Sequence, residues 1–244
     1  MKQTNYTIES NAPLTANVHR MALRGDTSMI TAPGQFVNLQ IDGLYLRRPI
    51  SVCDAEADRL TLIYKVVGRG TDQLSRMAPG ETLDALSGLG NGYDLTAAGE
   101  RPVLLGGGVG VPPMYLLAKR LIAEGRAVTV CLGFNTADEV FYEDAFRALG
   151  CEVRVSTVDG SHGAKGFVTA ILPEAPTHYF ACGPEPMLKA VFRALDCPGQ
   201  LSFEARMGCG FGACMGCTCE TLTGYKRICR DGPVMRKEEL LWNA

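Results

Sequence analysis

The 244-residue chain lacks several things, and each absence removes a class of protein. Tryptophan occurs once and histidine three times. His19, His162 and His178 stand apart, none beside an acidic partner in a motif, so no acid–base constellation for work on a substrate is visible. Charge of one sign is missing too: 24 Lys and Arg are interspersed with 26 Asp and Glu for a net −2. That excludes the one-sided positive field of a nucleic-acid binder. No apolar run approaches the roughly 18 residues of a membrane span, and MKQTNYTIES holds no apolar segment like that of a secretory leader. Neither repeats nor a low-complexity linker occur. The expectation is a cytoplasmic protein with neither nucleic acid nor membrane as a partner.

Glycine and cysteine, by contrast, are plentiful, at 28 and 10 residues. Cys53, Cys131, Cys151, Cys182 and Cys197 are scattered singly through apolar or strand-like contexts, where a free cysteine is usually a small buried hydrophobe. The other five fall within 21 residues. A reducing compartment and one metal site explain both groups better than a disulfide framework does. With 46% hydrophobic residues the chain can bury a sizeable core. Up to about Leu95, short extended runs at Val18 to Leu23, Phe36 to Ile41, Leu60 to Val67 and Thr82 to Leu86 are separated by proline and glycine. This is the pattern of a small antiparallel barrel or sandwich. After Arg101, strands at Pro102 to Leu105, Val128 to Leu132, Val153 to Val155 and Tyr179 to Cys182 alternate with helices at Pro112 to Glu124, Glu143 to Leu149 and Glu185 to Leu195. That alternation implies a parallel sheet with helices on its faces. From about Gln200 the pattern breaks again. The expected division is an antiparallel barrel over 1–97, an α/β domain over 98–199 and a small cysteine-bearing subdomain over 200–244.

Within that last segment, Cys209, Cys214 and Cys217 give C-x4-C-x2-C, and Cys229 follows at a distance. This is the plant-type ferredoxin spacing. Four thiolates can hold two irons and two sulfides, with the close-set three wrapping a loop around a [2Fe–2S] cluster and the distant fourth closing the cage. Gly208, Gly210, Gly212 and Gly216 suit such a loop, because glycine accepts positive φ and lets backbone N–H groups approach sulfur. A zinc knuckle also takes four cysteines, but it usually shows two C-x2-C hooks where this chain has one. Cys219 is the odd member. As a ligand in place of Cys217 it would stretch the second spacing, so it reads as a buried strand thiol.

Two further kinds of signal precede the cysteines. Arg48-Pro49-Ile50-Ser51 lies between probable strands. Its arginine could pair with a pyrophosphate and its serine with a flavin edge, although by itself the tetrapeptide reads more readily as a proline-bounded turn with a surface arginine. Ile63-Tyr64-Lys65 runs into Gly68-Arg-Gly70-Thr71, where a helix start beside Thr71 offers an anion site. Together they fit a barrel gripping FAD, with the Tyr64 ring available to pack on it. In the α/β region, Gly106-Gly107-Gly108-Val-Gly110 joins a buried strand to a helix, and Cys182-Gly183-Pro184 ends another strand. Ligands of open α/β sheets bind at that edge, which makes a nicotinamide site. After the second strand of this region come Asp138 and Glu139 without an arginine to clamp a 2′-phosphate, so NAD is expected over NADP.

These residues resemble the ferredoxin–NADP reductase superfamily. The segment from Glu204 to Cys217, with Cys229-Arg-Asp-Gly-Pro-Val behind it, is similar to the electron transfer subunits of NAD-linked dihydroorotate dehydrogenase. The resemblance implies a heterotetramer of two such chains with two FMN-containing catalytic subunits. Electrons would pass from FMN through the cluster to FAD and then to NAD⁺, in pyrimidine biosynthesis. It also implies FAD contacts at Arg48, Pro49, Ile50, Ser51, Ile63, Tyr64, Lys65, Gly70 and Thr71, and a Cys182 near the nicotinamide that could equally only pack. Two other readings stay open: a superfamily oxidoreductase with a different partner, and a redox-sensing module that uses the cluster as a switch.

Overall fold

The computed structural model describes residues 1–243. Six strands close into an antiparallel barrel in the order β1-β2-β5-β4-β3-β6. They are β1 (Lys2–Pro13), β2 (Val18–Arg24), β3 (Phe36–Leu39), β4 (Arg48–Glu56), β5 (Arg59–Lys65) and β6 (Thr82–Leu89). Closure leaves no free edge. Side chains alternate across each strand, so Val37 and Leu39, Leu60 and Leu62, and Tyr6 and Ile8 fill the interior. The short helix α1 (Arg69–Ser75) adds Leu74 to the same core. Two strands of the barrel escape the sequence reading. β1 is mostly polar, with only Thr4, Tyr6 and Ile8 buried, and β4 contains Arg48 to Ser51, so this tetrapeptide is strand rather than turn.

The second sheet has the order β10-β9-β8-β7-β11-β12-β15. Its strands are β7 (Pro102–Gly107), β8 (Thr129–Phe134), β9 (Glu152–Thr157), β10 (Ala164–Lys165), β11 (His178–Cys182), β12 (Gly199–Ser202) and β15 (Val234–Arg236). Helices α2 (Val111–Ala123) and α3 (Glu143–Ala148) pack with Leu104, Val130 and Phe180. α4 (Glu185–Ala194) packs with Val103, Leu105 and Tyr179 on the opposite face. The chain moves outward through β8 and β9, then returns to place β11 on the other side of β7. The strand order therefore reverses between β7 and β11, where an open sheet offers its ligand crevice.

The cysteine segment is built into this sheet. β12 crosses residue 200, and β15 returns antiparallel to it, so the sheet is mixed at one edge. Between them lie the cysteine loop and the hairpin β13 (Thr218–Thr221) with β14 (Gly224–Arg227). Asn91 of the barrel side grips the returning strand: its amide donates to the carbonyl of Gly232 at 2.8 Å, and its side chain donates to Val234 O at 2.7 Å. Barrel and sheet are joined by Lys119 to Asp54 at 3.0 Å, Arg120 to Thr31 O at 3.0 Å and Tyr93 to Ala181 O at 3.0 Å. No helix among the described residues is long and apolar enough to cross a membrane.

Candidate functional site

Between β12 and β13 the loop that carries Cys209, Cys214 and Cys217 has no regular structure, so its backbone amides are free to turn inward. The N–H of Cys214 donates to the Cys209 thiol at 3.4 Å, and the N–H of Cys229 donates to the Cys217 thiol at 3.4 Å. Side-chain contacts repeat that pairing, Cys214 with Cys209 and Cys217 with Cys229. No three His, Cys, Asp or Glu among the described residues gather around a point that one ion would occupy. Two by two is the ligand division of a binuclear cluster, one pair for each iron. Burial alone would push the Cys209 thiol up, but the N–H groups of Cys214 and Phe211, the Cys214 thiol and the Ala213 N–H together outweigh it and bring the thiol down to about 6. Donors that favour a thiolate favour a ligand. Cys229 is pushed up to about 12 by burial and by the neighbouring Cys217 and Cys209. Cys214 is exposed and Cys217 and Cys229 are buried, so the four run from surface to interior. Cys219 lies in β13, half-buried, opposite Lys226.

The cysteine loop rests on the barrel. Gly210 has φ +80°, and a Cβ there would overlap the side-chain amide of Asn38, which donates to the carbonyl of Cys209 at 3.1 Å. Asn38 is the β3 neighbour of Pro49 in β4. Cluster loop and candidate flavin strand are thus adjacent.

Along β4 and β5 the structure separates the residues of the flavin reading. Arg47 is paired with Asp84. Among the described residues Arg48 donates only to the carbonyls of Leu46 and Arg47, and its guanidinium lies over the Cα of Gly70, where a Cβ would overlap it. A cation without a carboxylate, held over a bare backbone turn, fits a pyrophosphate. Thr71 closes that turn, its hydroxyl accepting from Val67 N–H at 2.9 Å and donating to Gly68 O at 3.1 Å. Ile63 faces the sheet core, and Lys65 reaches the nucleotide cavity. The Tyr64 ring does not face a ligand. It is 2% exposed inside the barrel, and its hydroxyl donates to Asn11 at 2.9 Å, so only its main chain is free for a flavin.

A cavity of about 530 Å³ opens at the strand-order reversal. Gly107, Gly108 and Gly110 line one side and Gly183 and Pro184 the other, which brings the two glycine turns together. Gly106 and Cys182 lie buried in the strands behind it. The Cys182 thiol is pushed up to about 12 by burial, so it packs as a neutral side chain. Asn135 and Glu139 stand on the cavity wall, the Asn135 amide donating to the Glu139 carboxylate at 2.7 Å. Asp138 is not on that wall. Phe167 and Glu204 line the cavity as well and were missed from the sequence. Glu204 sits just past the carboxyl end of β12, the edge where such sheets bind ligands, and that position was the available signal. Burial holds its carboxyl above the ordinary range. His162, isolated in sequence, meets Glu143 at 2.7 Å on the surface.

The whole chain matches known proteins. It is 46% identical to the dihydroorotate dehydrogenase B (NAD(+)), electron transfer subunit, of Geobacillus sp. (strain WCH70), over 99% of each protein. The chain belongs to this family. The protein of the same name from Fusobacterium nucleatum is 44% identical over 96% of each. The family model for the iron-sulfur cluster binding domain of dihydroorotate dehydrogenase B matches residues 204–241, and that for the oxidoreductase NAD-binding domain matches 104–193. Among solved structures, an NADH-dependent reduced ferredoxin-NADP oxidoreductase superposes with a TM-score of 0.88 at 30% identity, over 98% of this chain and 90% of that one. A ferredoxin NADP+ reductase from Neisseria gonorrhoeae shares the fold at a TM-score of 0.69 and 20% identity, over 80% of this chain and 90% of that one. The antiparallel barrel, the α/β sheet and the C-terminal iron–sulfur segment are accordingly those of a reductase of this family.

Proposed function

We propose that the chain is the electron transfer subunit of an NAD-linked dihydroorotate dehydrogenase, carrying electrons from the FMN of a catalytic partner through a [2Fe–2S] cluster and FAD to NAD⁺. The observation that carries this reading is the two-by-two gathering of Cys209 with Cys214 and Cys217 with Cys229 beside the candidate flavin strand. In it the cytoplasmic enzyme pairs two such chains with two catalytic subunits, and the chain divides into a flavin barrel (1–97), a nicotinamide domain (98–199) and a cluster subdomain (200–244).

Bound at these places, the cluster would supply one-electron transfer, FAD the junction between one- and two-electron steps, and NAD⁺ the hydride acceptor. The chain's own part is position and electrostatics. The four thiolates would hold the cluster, and the loop amides around Cys209 would offset its negative charge. Arg48, over Gly70 and beside Thr71, would neutralise the pyrophosphate of FAD, and Pro49, Ile50 and Ser51, with the backbone of Ile63, Tyr64 and Lys65, would hold its flavin end. Gly106, Gly107, Gly108 and Gly110, with Gly183 and Pro184, would let a dinucleotide approach the sheet, and Cys182, buried behind them, would pack beneath it. Glu139 disfavours a 2′-phosphate. Phe211 and Met215, 42% and 54% exposed on either side of exposed Cys214, offer an apolar surface to the partner's flavin domain.

Anaerobic co-expression with an FMN-containing catalytic subunit tests this. The expected complex contains one FAD, one FMN, two irons and two sulfides per pair of chains and oxidises dihydroorotate with NAD⁺. A complex that turns over NADH only with an unrelated acceptor contradicts it.

A further inference from the structure

Asn38 performs no task that the proposed function has absorbed, yet it is placed where two sites meet. It is 1% exposed in β3, and its Cα partners are Pro49 on one side and Leu86 on the other. Its side-chain amide donates to the carbonyl of Cys209 across 171 positions of sequence. A carbonyl can only accept, which fixes which end of the amide faces the loop. Gly210 crosses directly over the same side chain, its positive φ and missing Cβ allowing that approach. Of the residues that follow, Phe211, Ala213 and Cys214 supply amides that point at the Cys209 thiol.

We infer that Asn38 is a positioning residue for the cluster, pinning the Cys209 carbonyl to the neighbour of the flavin strand and so holding the Phe211, Ala213 and Cys214 amides on the Cys209 sulfur. The inference rests on the proposed cluster ligands. A buried donor lost from this point leaves the Cys209 carbonyl unpaired and frees the loop to turn its amides away. Hydrogen bonds to ligand sulfur stabilise the reduced, more negative cluster, so their loss lowers its reduction potential. Asn91 grips the other end of the segment by the carbonyls of Asp231 and Val234, and touches none of these amides.

The test uses the full chain loaded with FAD and cluster, Asn38→Leu and Asn38→Gln, and an EPR-monitored redox titration beside iron and sulfide analysis. Asn38→Leu keeps the volume and removes the donor. It is expected to lower the reduced-to-oxidised ratio at the wild-type midpoint by about tenfold, the weight of roughly one charge-assisted hydrogen bond, and about 59 mV for one electron. Asn38→Gln, which keeps a donor on a longer arm, is expected to recover part of the shift. If Asn38→Leu takes up no iron, Asn38→Gln must still load. A loaded Asn38→Leu with wild-type potential and EPR spectrum overturns the inference, as do two variants that fail alike. Absence of a cluster from the wild-type chain itself would instead overturn the underlying reading.

Discussion

The backbone amide of Cys229 donates to the thiol of Cys217 at 3.4 Å, joining residues 12 apart in sequence into one of two thiol pairs. The other pair is Cys209 with Cys214. Replacing any one of the four with serine removes a ligand from one iron and is expected to abolish the visible absorbance and the reduced-state EPR signal. Cys219→Ser, half-buried in β13 outside both pairs, is expected to leave them intact. Loss of the cluster in Cys219→Ser alone would reassign the ligand set.

Arg48 carries the flavin pyrophosphate in the proposed function without a protein carboxylate to neutralise it. Arg48→Ala is expected to weaken FAD binding roughly tenfold to a hundredfold, the range of a charge-assisted pair that is only partly shielded. Flavin fluorescence on titration of the apo chain measures it. Gly70→Ala places a methyl against the same guanidinium and is expected to weaken FAD as well.

Glu139 faces the nucleotide cavity with Asn135 as its donor. NADH is expected to be strongly preferred over NADPH, and Glu139→Gln to narrow the preference roughly tenfold by removing one like charge. The ratio of kcat/KM values for the two nucleotides in dye reduction reads this directly. Equal ratios in both proteins would move the discriminating residue elsewhere.

Burial raises the Glu204 carboxyl above its ordinary value of 4.5. The folded chain then holds this proton to a higher pH than the unfolded chain does, so its stability falls as pH rises from that value through the raised one. Glu204→Gln is expected to flatten that stretch of the profile in thermal melts of the apo chain and to leave the profile above it parallel to wild type.

The elements with strong local signatures were legible in the sequence. Gly106 to Gly110 and Cys182 to Pro184 announced the crevice, and the cysteine spacing announced the loop. Less legible were elements that depend on tertiary partners. β1 buries only three side chains of its twelve, so its alternation is weak. β4 has a proline as its second residue, whose missing N–H is no loss at the pairing it makes with Asn38, and opens with half-exposed residues that look like a turn. β15 has three residues and is a strand only because β12 lies beside it. Tyr64 was read from its chemistry, but alternation along β5 points its ring into the barrel, where Leu62 also lies. Asn38 carries no motif, and Glu204, which opens the cysteine segment, gave no sign of its place in the cavity; only the fold brings them to the two sites.

The central claim is that electrons from the partner reach NAD⁺ through the four-cysteine cluster and by no other route. Dihydroorotate mixed anaerobically with the assembled complex, followed by freeze-quench EPR and NADH absorbance, tests it most directly. In the wild-type complex the reduced-cluster signal should appear before NADH when NAD⁺ is present, and both should vanish in complexes carrying Cys217→Ser that still bind FAD and FMN. NADH formed at the wild-type rate by that cluster-free complex would contradict the claim.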